Sequence, residues 1–153
     1  MVSVNDWVTP MNPLVSALLR SRFHGVASGA LLVVSWSGRK TGGRFSIPTG
    51  YQRDGEDVVV MLSKPGEKSW WKNFRSPWPA DLLIAGREQT AMGTLVPPGS
   101  PEFFRLVEKT IRATPFMAKQ FGLAGYDPDR GLSSEDRAIL LEKAGAIRFE
   151  LTD

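Results

Sequence analysis

Short apolar segments separated by polar turns predict a series of strands. Continuous apolar runs at 30–37 and 57–63 are typical of buried strands. Between them, the segment 45–51 alternates large apolar residues with smaller or polar ones, as a half-buried strand does, and Asp54-Gly55 marks a hairpin turn. With further strands predicted at 81–85, 90–96 and 146–151, the pattern gives about six short, mostly antiparallel strands.

Helix start signals precede and follow the main group of strands. Asn12-Pro13 places a capping residue before a proline, and the apolar residues after it lie on one side of a helix that ends at Gly25 or Gly29. Ser100-Pro101 opens a second helix, which Pro115 breaks.

A third helix is predicted to begin at 133–136, which resembles a capping box, and to end at a C-terminal cap on Gly145. The predicted fold is therefore α+β, an antiparallel barrel with added helices in a single domain. Its parts are an N-terminal amphipathic helix (1–25), a barrel core (30–96), helices (100–144) and a final strand (146–151), all within 1–153.

The composition excludes several kinds of site. The chain has no cysteine, so disulfides, thiolate metal sites and cysteine nucleophiles are excluded. Its single histidine, His24, argues against histidine metal clusters and Ser-His-Asp chemistry. The net charge of +3 suits an anionic ligand or surface. Nucleic acid is disfavoured, because there is no long basic stripe.

No apolar run is long enough to span a bilayer, and we expect a cytoplasmic protein. The N-terminal helix is amphipathic with basic flanks. It is expected either to pack on the barrel or to make a peripheral contact with the inner face of the membrane. The sequence leaves open whether the protein is a monomer or a homodimer.

The turn 38–44 (GRKTGGR) is both basic and rich in glycine. Cationic side chains beside exposed backbone amides form sites for phosphate or carboxylate groups. We therefore interpret the turn either as an anion site or as a solvated hairpin tip. Pro48 lies inside the strand that follows, and since proline has no N–H, that strand is expected to be an edge, to bulge or to face a ligand.

A second stretch of interest begins where Ser63-Lys64 ends a buried strand. The segment 69–75 (SWWKNFR) predicts a short helix, and Trp70 and Asn73 share one of its faces because they are three residues apart. A tryptophan beside an amide and several lysines suits a planar, phosphorylated ligand. Alternatively, Trp70 and Phe74 belong to the core and the lysines are solvated.

Taken in this order, these segments resemble the deazaflavin-dependent nitroreductase and quinone reductase family. The matching segments are GRKTG (38–42), Pro48, RDG (53–55), SK (63–64), WWKNF (70–74) and GR (86–87). Members of that family use coenzyme F420 on a split β-barrel like that of flavin-binding oxidoreductases. The resemblance covers roughly 12–96, and the C-terminal third in outline, and it implies the same fold and cofactor here.

The resemblance also implies which residues bind the cofactor. The turn holds its phosphate and acidic tail, the second strand faces the deazaflavin ring, and the short helix closes over it. The implied residues are Arg39, Lys40, Thr41, Arg44, Phe45, Ser46, Ile47, Pro48, Thr49, Gly50, Met61, Leu62, Ser63, Lys64, Ser69, Trp70, Trp71, Lys72 and Asn73.

Arg44 marks a departure from the family, which often has an arginine where this chain has Phe45. Because alternate residues of a strand face opposite sides, Arg44 is expected to reach a cofactor phosphate only if the backbone bulges.

The activity implied by the resemblance is F420H2-dependent hydride transfer to a small or lipophilic acceptor such as a quinone. Ser63 and Tyr126 are the candidate catalytic residues, and no metal is expected. Two alternatives stay open: an FMN-dependent oxidoreductase of the same fold, and a non-catalytic protein that binds a cofactor or lipid.

Overall fold

The computed structural model describes residues 31–152, so the predicted N-terminal helix and His24 lie outside the described residues. The strands are β1 (Leu31–Ser37), β2 (Arg44–Gly50), β3 (Gln52–Asp54), β4 (Asp57–Ser63), β5 (Trp78–Ile84), β6 (Arg87–Leu95) and β7 (Ala144–Leu151). The helices are α1 (Pro101–Ala113), α2 (Met117–Gln120) and α3 (Ser134–Lys143), with 3₁₀ segments at Pro65–Glu67 and Trp70–Phe74.

The seven strands form one sheet in the order β2-β1-β5-β6-β7-β4-β3, and each neighbouring pair is antiparallel. The two edge strands, β2 and β3, are consecutive in the chain, with Tyr51 alone between them. The sheet therefore curls round until its edges approach each other, and the helices flank this half-barrel. The prediction of an α+β antiparallel barrel is confirmed.

Strand β4 is buried on both faces, which explains its continuous apolar sequence. Val58 and Val60 belong to the cluster inside the barrel, together with residues such as Leu82 of β5. Val59 points the other way, into a second cluster that includes Leu106 of α1. Since successive side chains of a strand face opposite sides, one strand supplies both clusters.

Of the three alternatives predicted for Pro48, the structure shows an edge strand without a bulge. Pro48 pairs with Val33 of β1, and the other side of β2 has no neighbouring strand in the sheet. The hairpin predicted at Asp54-Gly55 is also present, joining β3 to β4. Gly55 has a φ of 65°, a left-handed conformation that glycine adopts without strain.

The helix starts follow their capping residues as predicted. The hydroxyl of Ser100 accepts a hydrogen bond from the N–H of Phe103, at 3.1 Å. Ser133 and Asp136 form a reciprocal capping box at the start of α3. Helix α1 ends at Ala113, two residues before Pro115. Within 31–152, no helix is long and apolar enough to cross a bilayer.

Gly145 corrects one prediction, because it does not cap the last helix. Helix α3 ends at Lys143, and Gly145 already lies within β7. A Cβ at this position would lie 3.1 Å from Cδ1 of Leu62. The glycine therefore serves close packing between β7 and β4 instead of a left-handed turn.

The strand predictions miss one strand and several boundaries, among them the start of β6, which lies at Arg87 instead of residue 90. One more strand is present than predicted, because the three residues of β3 form a separate element after Tyr51. Strand β5 begins at Trp78, three residues before its predicted start, although it contains Pro79. Pro79 is paired with Met92 of β6, but it lies beyond the pairing of β1 with β5, which stops at Ser35 and Asp81.

Candidate functional site

An open cleft of about 670 Å³ lies between the 38–44 turn and the 3₁₀ helix Trp70–Phe74. We call it the aromatic cleft, because the rings of Trp36, Phe45 and Trp70 line it. The rest of its lining is polar or cationic and consists of Gly38, Arg39, Lys40, Thr41, Ser69, Lys72, Asn73, Arg75 and Ser76.

Strand pairing brings the aromatic rings together. Trp36 of β1 is directly opposite Phe45 of β2, and their ring centroids are 5.9 Å apart with the planes inclined by 24°. Trp70 also contacts Trp36, with centroids 5.3 Å apart and the planes inclined by 35°. Trp36 is buried, whereas Phe45 is 48% exposed. The cleft therefore combines a buried indole with a ring that solvent reaches.

Arg39 ties the turn to the 3₁₀ helix. Its backbone N–H donates to Oδ1 of Asn73 at 2.9 Å, and its Nε donates to the carbonyl of Asn73 at 2.6 Å. Its Nη2 donates to the carbonyls of Ser76 and Pro77, each at 3.0 Å. The guanidinium also lies over the ring of Trp78, 4.1 Å from the centroid.

These contacts give Arg39 and Asn73 a positioning role, since each holds a backbone segment of the cleft in place. Asn73 also donates from Nδ2 to the carbonyl of Trp70, at 2.8 Å. Planar guanidinium geometry suits such simultaneous bonds to several carbonyls. The two segments that resemble the F420-binding family are thus joined to each other directly.

The glycine amides of the turn are used within the turn itself. Gly38 and Gly42 form backbone hydrogen bonds of 2.8 and 2.9 Å inside it, and the N–H of Gly43 donates to Oγ1 of Thr41 at 3.2 Å. The expectation that these three amides are exposed to a ligand is wrong. Any anion held here therefore depends mainly on cationic side chains.

Three cations near the cleft are not committed to carboxylates. Among the described residues, the ammonium groups of Lys40 and Lys72 have neither a hydrogen bond nor an ion pair, and both side chains are exposed. Arg75 lies over the ring of Trp71, 5.4 Å from the centroid. A ligand with negative charge would meet these groups at the rim of the cleft.

Arg44 lies on the opposite face of β2 from Phe45. The register of β1 and β2 is regular through Ser37–Arg44 and Trp36–Phe45, so there is no bulge. The guanidinium of Arg44 pairs with the carboxylate of Asp81 on β5. The structure does not bring Arg44 to the aromatic cleft, for the reason that strand alternation gives.

Only some of the predicted cofactor-binding residues line the cleft. It brings together Arg39, Lys40, Thr41, Phe45, Ser69, Trp70, Lys72 and Asn73, and the residues 46–50 continue along β2 without lining it. Three further residues of the predicted set do not line the cleft. Met61 packs against the second hydrophobic cluster, which lies beneath the helices, and Leu62 belongs to the barrel interior. Lys64 immediately precedes the 3₁₀ segment Pro65–Glu67. The indole of Trp71 donates to the carbonyls of Pro65 and Lys68.

Neither candidate catalytic residue lines the cleft. The hydroxyl of Tyr126 donates to Glu108 of α1 at 3.4 Å, and its ring contacts the cluster beneath the helices. The carbonyl of Ser63 accepts a hydrogen bond from the Lys68 ammonium group. A proton-donating role for either residue stays a prediction without geometric support.

Sequence reasoning missed several lining residues, Trp36 and Arg75 above all. Trp36 lies in a continuous apolar run, a pattern that predicts only a buried strand position. Its position directly opposite Phe45 could have been found from the hairpin register, since the turn 38–43 fixes the pairing of β1 with β2.

A second cleft of about 530 Å³ lies on α1, and three of its four cations are paired with carboxylates, whereas the fourth, Arg137, lies over the ring of Phe104, 4.8 Å from the centroid. Arg105 and Lys109 pair with Asp54 at 2.9 and 3.2 Å, and Arg112 lies 3.6 Å from Glu108. Elsewhere in 31–152, no group of histidine, cysteine and acidic residues could hold a metal ion. The aromatic cleft is therefore the better candidate for a ligand site.

Replacing Arg39 with lysine is expected to lower the free energy of unfolding by about 1–2 kcal/mol. Lysine keeps the charge but cannot reach the carbonyls of Asn73, Ser76 and Pro77 together. Urea denaturation measures the change, and Arg87→Lys, at the exposed first residue of β6, is the matched control. Equal midpoints for the two variants would show that the contacts of Arg39 contribute nothing to stability.

Comparisons with known proteins identify the fold. No family model matches the chain, and no curated protein matches it by sequence. Solved structures do match, at low identity. An F420-H2 dependent reductase (FDR-A) has a TM-score of 0.53 at 11% identity, covering 77% of this chain and 93% of its own.

Two other neighbours have different described roles. HutZ, a heme storage protein from Vibrio cholerae, has a TM-score of 0.54 at 11% identity, covering 92% of this chain and 89% of its own. A proposed pyridoxamine 5′-phosphate oxidase from Listeria innocua has a TM-score of 0.51 at 12% identity, covering 94% of each chain. At such identities the likeness shows the split-barrel fold alone.

Proposed function

We propose that the chain binds coenzyme F420 in the aromatic cleft and supports hydride transfer from its reduced form to a small or lipophilic acceptor such as a quinone. The observation that carries the proposal is the set of cations at the rim of an aromatic cleft. Lys40 and Lys72 have no partner among the described residues, and Arg75 faces no carboxylate. F420 combines a planar ring system with a phosphate and an acidic tail, which this arrangement fits.

The size and chemistry of the cleft support the same proposal. Its volume of about 670 Å³ lies within the range of ordinary small-molecule sites, about 300–1,000 Å³. The rings of Trp36, Phe45 and Trp70 offer apolar surface to a planar ligand, and such rings favour offset or edge contacts. The ammonium groups of Lys40 and Lys72 would hold the charged tail.

When bound, reduced F420 supplies the hydride, so the residues of the chain have to bind, orient and shield it. Lys40 and Lys72 fix one end of the ligand through charge. Arg39 and Asn73 keep the turn and the 3₁₀ helix at a constant separation, which sets the width of the cleft. The aromatic side chains exclude water from the ring face that they cover.

Two alternatives have specific support. The same cations would also hold the phosphate of FMN, and the fold accommodates a pyridoxamine 5′-phosphate oxidase neighbour. The heme storage neighbour favours a protein that binds a cofactor without turnover. The predicted N-terminal helix lies outside the described residues, and we retain its contact with a membrane surface as part of the proposal for a lipophilic acceptor.

Parallel titrations separate these functions. F420, FMN and haem are added to the purified full-length chain, and ligand fluorescence or absorbance is followed. We expect micromolar binding of F420 and much weaker binding of FMN and haem. Failure of F420 to bind at millimolar concentration would overturn the proposal. Binding of F420 without oxidation of F420H2 by a menaquinone analogue or an enone would identify a carrier.

Lys40→Ala is expected to weaken F420 binding by about 1–3 kcal/mol, because a charge-assisted contact is lost. The free energy of unfolding should stay within about 0.5 kcal/mol of the parent, since the ammonium group has no partner among residues 31–152. Lys119→Ala, at an exposed position on α2, is the matched control for loss of one charge. If both variants bind F420 equally well, the turn is only a solvated hairpin tip.

A further inference from the structure

Trp36 carries a buried hydrogen-bond donor that has no partner. Its side chain is 2% exposed, and its indole Nε1 has no acceptor among the residues that the structure describes. Two other indoles in the same range are satisfied: Trp71 donates to Pro65 at 2.8 Å and Trp78 donates to Ser37 at 2.7 Å. Because buried donors are nearly always paired, the exception calls for a functional explanation.

The position of Trp36 connects this donor to the aromatic cleft. Its ring is part of the cleft lining and contacts Phe45, Trp70 and Phe74. Of these three neighbours, Phe74 is fully buried, Trp70 is partly buried, and Phe45 is 48% exposed. Phe45 is therefore the most exposed of the three rings, and its movement would disturb the core least.

The backbone beside Phe45 leaves space for its ring. A Cβ at Gly38 would lie 2.9 Å from Cε2 of Phe45, so the ring rests directly on the glycine. The side chain of Phe45 makes only nonpolar contacts there, and solvent reaches about half of the residue. A planar ligand that took the place of this ring would restore the stacked contact that Phe45 makes with Trp36.

We propose that Trp36 is a recognition residue of the aromatic cleft, and that its indole N–H donates a hydrogen bond to a ring carbonyl of the bound planar ligand once Phe45 turns aside. This rests on the proposed function of the cleft, because flavins and deazaflavins both carry carbonyl oxygens on their pyrimidine ring. A site with an unpaired buried donor selects ligands that supply the missing acceptor. The donor would therefore discriminate against planar ligands that lack a ring carbonyl.

A matched pair of probes tests the carbonyl directly, independently of F420. Anthraquinone-2-sulfonate and anthracene-2-sulfonate are both planar and singly charged, but only the first has ring carbonyls. We expect Trp36→Phe to weaken anthraquinone-2-sulfonate about tenfold and to leave anthracene-2-sulfonate within twofold. Equal effects on the two probes, no effect on either, or no binding of either probe to the parent would overturn the inference.

Indole resonances in ¹⁵N-labelled full-length protein give a readout that needs no turnover. On addition of anthraquinone-2-sulfonate or F420, the Trp36 Nε1–H signal should move downfield, and it should show proximity to ligand ring protons. Trp36→Phe assigns the signal, and Trp71→Phe is the control that should leave it in place. If Trp36→Phe does not fold, the proximity measurement on the parent protein still tests whether the Trp36 indole N–H contacts the ligand.

Phe45→Ala tests whether the Phe45 ring covers Trp36 in the free protein. Removing the ring should speed solvent exchange of the Trp36 indole proton at least tenfold, whereas Phe116→Ala, at a 59% exposed position elsewhere, should not. An unchanged exchange rate in Phe45→Ala would refute the role of Phe45. If F420 fails to bind while anthraquinone-2-sulfonate binds and shifts the Trp36 signal, the proposed function fails and the role of Trp36 stands.

Discussion

Replacing Phe74 with alanine is expected to lower the free energy of unfolding by about 3–5 kcal/mol, the range for a large ring lost from a well-packed core. Phe74 is fully buried. Its ring makes edge contacts with Phe149 and Trp36, with centroids 5.3 and 6.2 Å away. It also lies directly on Gly93, where a Cβ would be 2.7 Å from its Cδ1. Urea denaturation measures the loss.

The same substitution should weaken ligand binding, because Phe74 is the buried residue of the 3₁₀ helix Trp70–Phe74. Short 3₁₀ segments have little stability of their own. Without this ring, Trp70 and Lys72 lose their fixed position beside the turn. We expect F420 binding to fall at least tenfold in Phe74→Ala under conditions where circular dichroism shows it folded.

Phe116→Ala provides the matched control for Phe74→Ala, because Phe116 is 59% exposed on another part of the surface. Its free energy of unfolding should change by less than about 0.5 kcal/mol. Phe74→Leu should fall between the two, since leucine fills part of the space. A loss below about 1 kcal/mol in Phe74→Ala would contradict the assignment of Phe74 as an anchor of the cleft.

Arg148→Met is expected to lower the free energy of unfolding by about 2–3 kcal/mol, somewhat less than for a fully buried ion pair. Arg148 is on β7, and its side chain is 17% exposed. It donates to Asp54 at 2.7 Å, to Asp57 at 2.8 Å and to Glu102 at 2.6 Å. Methionine would leave three acidic groups close together with less compensating charge.

The same network makes stability depend on pH. Hydrogen bonds from Arg105, then Arg148 and Lys109, outweigh burial and hold the pKa of Asp54 well below its usual value of 3.8. Burial alone would lower the pKa of Arg148, but its bonds to Asp54, Asp57 and Glu102 raise it. Asp54 binds a proton more readily in the unfolded chain than in the folded protein. Its contribution to the free energy of unfolding is therefore complete above about pH 5 and is progressively lost as the pH falls below about 4.

Asp54→Asn checks this pH dependence. The parent should be more stable than Asp54→Asn at pH 7, and the difference should shrink steadily between pH 5 and pH 2.5. Denaturation at a series of pH values gives the difference at each point. Asp129→Asn, at an exposed position in a turn, is the control. If the stability difference between the parent and Asp54→Asn stays constant with pH, folding does not lower the pKa of Asp54.

Local chemistry in the sequence was sufficient for much of the fold. The apolar run 57–63, the hairpin at Asp54-Gly55 and the capping residues Ser100 and Ser133 all act on their immediate neighbours. Pro48 limited its strand to an edge, a bulge or a ligand-facing position for an equally local reason, the missing N–H, and the sheet order selects the edge. The helix cap predicted at Gly145 is wrong because glycine occurs both in turns and at sites of close packing. Only the contact with Leu62, which exists in the folded chain, shows that Gly145 serves close packing.

The sequence predicted which two segments form the cleft, but it did not predict the contacts within the cleft. Turn and helix were recognised by their residues, and the structure places both beside the same cavity. The role of Arg39 was not predictable, since its partners Asn73, Ser76 and Pro77 are 34 to 38 residues away. The missing bulge before Phe45 likewise depends on the pairing of β2 with β1.

The sequence by itself therefore determined six of the seven strands in outline, the capping residues Ser100 and Ser133, and the presence of a basic turn and an aromatic helix, because these depend on contacts between near neighbours. The tertiary structure decided which cations remain available to a ligand. Arg39 is used by carbonyls of the next segment and Arg44 by Asp81, whereas Lys40 and Lys72 are left at the rim. It also decided that Trp36, an ordinary core residue by pattern, holds an unpaired donor beside the cleft, since a hydrogen-bond partner exists only once the chain is folded.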